Sequence, residues 1–230
     1  MNTPLLLIFL SLSLFSLFLS QAKDAPNPVL DINGTMVQEG FMYYVVPLDL
    51  EEAGLGFNLF SIGIENACPK SVFLAEPYYW SCLIAFHYPV NPDNKGVIRE
   101  WTDLNIEIFF DKYTRPCPEP NLWKIDGDPS RYDVNITTGG ENGDLSSWFK
   151  IVKTQNGYKF MYCPSVCDHY RVVCKDVGIS ETDESRLVLS DTPFEFTFRR
   201  PETLVNDVAT PVALDAIAPN PSIQDIESIM

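Results

Sequence analysis

The chain has 230 residues, with 31 acidic side chains against 16 basic ones and a net charge of −15. An apolar share of 46% supports a full core, and the length suits one sizeable domain or two small ones. So acidic a surface repels phosphate backbones and anionic lipid heads, which sets nucleic acid aside as a partner.

Residues 1–22 carry no charged side chain, and Leu5 to Leu19 is an apolar run broken only by serines. That run is short for a bilayer core of ~30 Å, and Ser20 and Ala22 are small residues of the kind a signal peptidase prefers. A secretory signal peptide is expected over 1–22, with no membrane association after its removal. The mature chain then lies in the secretory pathway, extracellular or vacuolar.

After the leader come short runs rich in β-branched and aromatic residues: 41–46 (FMYYVV), 57–62 (FNLFSI), 104–110 (LNIEIFF), 132–137 (YDVNIT), 148–153 (WFKIVK), 158–163 (YKFMYC), 186–190 (RLVLS) and 194–199 (FEFTFR). Several alternate apolar with polar residues, the period of a half-buried strand. Turn signals separate them at 33–34, 92–96, 126–130, 139–144 and 155–157. The pattern predicts an all-β sandwich or barrel. Residues 76–92 (EPYYWSCLIAFHYPVNP) read as an irregular, partly apolar loop. Residues 201–230 contain five acids and no base. They read as a flexible tail or sorting propeptide, leaving 23–200 as the domain.

In an oxidising compartment, the six cysteines Cys68, Cys82, Cys117, Cys163, Cys167 and Cys174 are expected to form disulfides. Asn33 and Asn135 head Asn-X-Thr acceptor triplets for N-glycosylation. Zinc at Cys163, Cys167, His169 and Cys174 does not match a common finger spacing, and no EF-hand spacing supports calcium. No metal or cofactor is expected. Cys82 with His87 lacks the surroundings of a thiol nucleophile, so no enzyme is expected.

The stretch 26–46 (PNPVLDINGTMVQEGFMYYVV) resembles the amino-terminal signature of the plant Kunitz-type inhibitors, especially their miraculin-like branch. Val29, Asp31, Asn33, Gly34, Val37, Tyr43 and Val45 fall where that signature wants them, while Thr35 departs from it. Further matches are 96–108 (GVIREWTDLNIEI), 122–126 (LWKID), 137–140 (TTGG), 146–153 (SSWFKIVK), 158–164 (YKFMYCP) and 174–180 (CKDVGIS). The resemblance spans about residues 26–200. It implies a β-trefoil of twelve antiparallel strands in three pseudo-repeats, six closing a barrel and six capping it. It also implies disulfides Cys68–Cys117 and Cys163–Cys174. Cys82 and Cys167 stay unassigned: they pair with each other, pair between chains, or stay free. The protein is accordingly a monomer, or a dimer if one of them bridges two chains.

Members of the family inhibit proteases by inserting a rigid loop as a substrate would, with one side chain, P1, in the specificity pocket. The resemblance implies such a loop between Cys68 and the strand at 96–100. Anchored on 87–92 (HYPVNP), it covers Trp80, Ser81, Cys82, Leu83, Ile84 and Ala85, with P1 at Leu83 or Ile84. An apolar P1 leaves the buried aspartate of a trypsin pocket unpaired and favours a chymotrypsin-like target protease. Glu39 stands where the family carries a loop-supporting asparagine, and it lacks the amide donors of that residue. The alternative is a non-inhibitory trefoil serving defence, storage or ligand and protein binding.

Overall fold

A computed structural model describes residues 25–48, 57–60 (backbone), 68–74, 82–89, 96–109, 117–165, 173–183 and 185–201. The expected leader and tail therefore lie outside the described residues. No helix among those described is long and apolar enough to cross a membrane.

The described residues form twelve strands: β1 (Tyr44–Pro47), β2 (Phe57–Phe60), β3 (Ser71–Leu74), β4 (Leu83–His87), β5 (Asn105–Phe109), β6 (Lys124–Asp126), β7 (Val134–Thr137), β8 (Phe149–Lys153), β9 (Tyr158–Tyr162), β10 (Lys175–Ile179), β11 (Leu187–Ser190) and β12 (Phe196–Arg199). Eight coincide with the runs read from sequence. β3, β4, β6 and β10 were not expected from that pattern. β4 corrects the reading of 76–92 as irregular throughout. Its residues Ile84, Ala85 and Phe86 are all buried, so its sequence shows no alternation. A strand covered on both faces and a greasy loop look alike as short apolar runs.

Pairing is antiparallel throughout, and it closes on itself. β1 pairs β12, β12 pairs β9, and β9 pairs β8. A two-bond bridge between Leu104 and Phe149 carries the ring from β8 to β5. β5 pairs β4, and the bridge between Tyr43 and Ile84 returns it to β1. The other six strands form the hairpins β2–β3, β6–β7 and β10–β11. They are joined through β3–β7 and β7–β11. Three successive groups of four strands thus each give two walls to the barrel and one hairpin to the cap. This is a β-trefoil, all-β as expected. Closure leaves the barrel without free edges for other chains to pair with.

Aromatic rings fill the interior. Phe198 of β12 lies 5.4 Å from Phe86 of β4, 5.2 Å from Phe196 and 6.3 Å from Tyr43, centroid to centroid. Phe160 of β9 stacks at 4.4 Å on Phe196 and meets Trp123 edge-on at 5.5 Å. All are fully buried. Such offset and edge-to-face pairs add to the apolar area removed from water.

Among the described residues, two disulfides staple the body, Cys68–Cys117 and Cys163–Cys174, the pairs the resemblance implies. The first closes 49 residues of sequence separation, the longer of the two loops, where the loss of unfolded-chain entropy is greater. A buried ion pair also holds the short disulfide loop. Lys150 Nζ lies 2.7 Å from Asp103 Oδ1 and donates to Ser165 Oγ at 2.8 Å, while Ser165 N donates to the same carboxylate.

Phe198→Ala empties the meeting point of five rings and is expected to lower the unfolding free energy by roughly 3–5 kcal/mol, read by denaturant titration of the oxidised protein.

Candidate functional site

The residues expected to carry P1 sit inside the barrel wall. Ile84 is fully buried, and both its backbone polar groups are committed to one partner: Tyr43 N donates to Ile84 O at 2.8 Å and Ile84 N donates to Tyr43 O at 2.9 Å. Ala85 is fully buried opposite Glu107. Leu83 is half-buried at the strand start, opposite Phe109. A substrate-like ligand must offer a protruding side chain and free backbone groups. Ile84 and Ala85 offer neither, and Leu83 is half-buried within the β4–β5 pair. Trp80 and Ser81 lie outside the described residues. Cys82 is 8% exposed. Cys167 is outside the described residues.

A turn-rich connection follows β4. Its two ends meet at Glu39, and this arrangement corrects the expectation for that residue. Glu39 Oε1 accepts from Tyr88 N at 3.1 Å, where the chain leaves β4. Glu39 N donates to Gly96 O at 3.1 Å, where the chain returns. Glu39 thus ties one end by accepting through its carboxylate and the other by donating its backbone amide. Tyr88 adds a second tie: its hydroxyl donates to Val97 O at 2.7 Å. Gly40 N donates to Phe86 O, and a bridge joins Gln38 to Val97. Gly40 and Gly96 both hold positive φ, +74° and +99°, a conformation that side-chain-bearing residues rarely adopt. Residues 90–95, between these ends, lie outside the described residues.

The sequence singles out Glu39 but gives no sign that Tyr88 N is its hydrogen-bond partner. The signal available for where the connection starts is the order of residues. The aromatic Tyr88 directly precedes a turn-rich stretch, Pro89 to Gly96, that begins where β4 stops.

His87, at the end of β4, contacts Glu107 Oε2 through Nε2 at 2.9 Å across the β4–β5 pair. This contact is between strands and makes no catalytic pair with Cys82. The one group of three metal-capable side chains among the described residues contains Cys68 and Cys117, whose sulfurs are joined to each other, and Glu119. Sulfurs in a disulfide are not thiolate ligands.

The family profile described as trypsin and protease inhibitor, of the legume Kunitz type, matches residues 29–200. The chain belongs to the plant Kunitz inhibitor family. Its sequence is 35% identical to miraculin of Synsepalum dulcificum over 79% of this chain and 87% of that protein. It is 31% identical to Kunitz trypsin inhibitor 5 of Arabidopsis thaliana, over 86% of this chain and 98% of that one. Among solved structures, a Kunitz-type cysteine protease inhibitor from potato superposes with a TM-score of 0.60 at 26% identity, covering 80% of this chain and all of that one. Membership of this Kunitz family, in its miraculin-like branch, makes the chain an inhibitor-type protein rather than an enzyme.

Burial pushes the Tyr88 hydroxyl above the ordinary tyrosine value. A raised folded-state value means the fold favours the protonated form. That contribution is present below about pH 10 and is lost as pH rises through the folded value. The phenolate cannot donate to Val97 O. Ultraviolet titration is expected to show a tyrosine ionising late, absent in Tyr88→Phe.

Proposed function

We propose that the chain is a secreted protease inhibitor that presents the connection between Tyr88 and Gly96 to its target as a substrate would. The observation that carries this reading is Glu39, which ties both ends of the connection through one residue. Holding the ends in place lowers the entropy lost on docking, and pre-organisation of this kind gives substrate-like inhibitors much of their affinity. The two disulfides fit the oxidising compartment that secretion implies.

The target preference changes with the location. A chymotrypsin-like preference was expected from Leu83 and Ile84, and it loses its basis once those residues lie in the barrel wall. Residues 90–95 read Val-Asn-Pro-Asp-Asn-Lys, with Lys95 the cation and no aromatic ring. A cationic residue suits a pocket with a buried aspartate, so a trypsin-like target follows.

Titration of the mature protein against trypsin and chymotrypsin tests the activity. Slow nicking by a catalytic amount of the protease, followed by mapping of the cut, tests the location. We expect stoichiometric inhibition of trypsin, a cut between Pro89 and Gly96, and at least tenfold weaker binding in Lys95→Ala. A cut at 80–85 would overturn the location. Absence of inhibition at micromolar protein would overturn the activity and leave a non-inhibitory trefoil as the reading.

A further inference from the structure

The two acceptor triplets for N-glycosylation have the same chemistry in sequence, and the fold places them in opposite surroundings. Asn33 sits in the turn of the amino-terminal hairpin closed by the bridge between Leu30 and Met36. Residues 32–36 are all exposed, so both Asn33 and Thr35 face solvent. The backbone beneath them is fixed from below. Asp31 Oδ1 accepts from Asn33 N at 3.0 Å and from Thr35 N at 2.8 Å, and Asp31 N donates to Thr35 O. The turn therefore holds its shape without using the Asn33 side chain.

Asn135 is in the middle of β7, flanked by Asp126 of β6 on one side and Val188 of β11 on the other. Its Oδ1 accepts from Arg186 Nη1 at 2.8 Å. The same guanidinium reaches Asp133 Oδ2 at 3.0 Å and Ser180 Oγ at 3.2 Å. The rest of the triplet, Ile136 and Thr137, is buried. A sugar on Asn135 Nδ2 would leave Oδ1 as an acceptor but would have to stand among these groups, crowding the charge-assisted knot that ties β7 to the β10–β11 turn.

We propose that Asn33 is the N-glycan acceptor of this protein and that Asn135 stays bare. The reaction joins Asn33 Nδ2 to the anomeric carbon of an oligosaccharide and breaks that carbon's bond to a lipid-linked pyrophosphate. The lipid pyrophosphate leaves, and Nδ2 gives up one proton. The donor is thus a lipid-pyrophosphate oligosaccharide of the secretory lumen. Ile32 and Met36, each 48% exposed, flank the acceptor, and a hydrated sugar there covers apolar surface that otherwise faces water.

The assignment rests on the secretory reading, and two versions of the full chain separate the two. One is expressed in plant cells with its own residues 1–22, the other with those residues replaced by an unrelated secretory leader. Each is treated with a deamidating glycosidase and mapped by peptide mass. With the unrelated leader we expect Asn33 converted to aspartate and Asn135 unchanged. Asn33→Gln and Thr35→Ala should each abolish the glycan. A glycan on Asn135, or a bare Asn33, in that version overturns the assignment. A bare Asn33 only in the version with its own leader overturns the secretory reading instead.

Discussion

Two narrow backbone contacts close this barrel. The bridge between Tyr43 and Ile84 and the bridge between Leu104 and Phe149 turn two separate sheets into one ring. Without them, β4 and β5 would be an isolated pair beside an open sheet. With them, rings from all three repeats share one interior: Tyr43 and Phe86 from the first, Phe149 from the second, Phe160 and Phe198 from the third. Closure and aromatic filling support each other. The bridges fix the wall positions from which the side chains point inward, and the packed rings hold the wall at its diameter.

The same closure separates the scaffold from the segments that connect it. Because Ile84 carries one of the two bridges, its segment belongs to the scaffold. The chain is released from the wall only after His87 and rejoins other strands at the Val97 bridge. Glu39 follows the amino-terminal hairpin and precedes β1, so it reaches both points at once. Scaffold and connection are therefore adjacent in sequence but distinct in bonding. The distinction is which backbone groups are already used.

Much of the fold was legible because several strands have one wet face. β12 is an example: Phe196 and Phe198 are buried while Thr197 is less so and Arg199 is exposed, and the run FEFTFR shows that alternation. β4 was illegible for the opposite reason. Its apolar residues have no polar partners to mark a face, and prolines and aromatics surround it. The candidate site suffered from the same ambiguity. Anchoring on 87–92 extended the loop over 80–85, because nothing in LIAF shows that its strand pairs with neighbours on both sides. Glu39 was singled out by its departure from the family pattern. Its effect depends on which neighbouring group is a donor, and only the spatial approach of Tyr88 N supplies that.

Asp31 does more than shape a turn. Its second oxygen lies 3.5 Å from Arg200 Nε, and Arg200 also donates to Met36 O. The carboxylate is almost wholly enclosed, so this guanidinium is its compensating charge. The last residue before Pro201 thus latches the first hairpin of the chain. That sets a limit for any maturation of the carboxyl terminus. Exopeptidase trimming that stops at Arg200 leaves the latch intact, while one residue further strands an anion inside the protein.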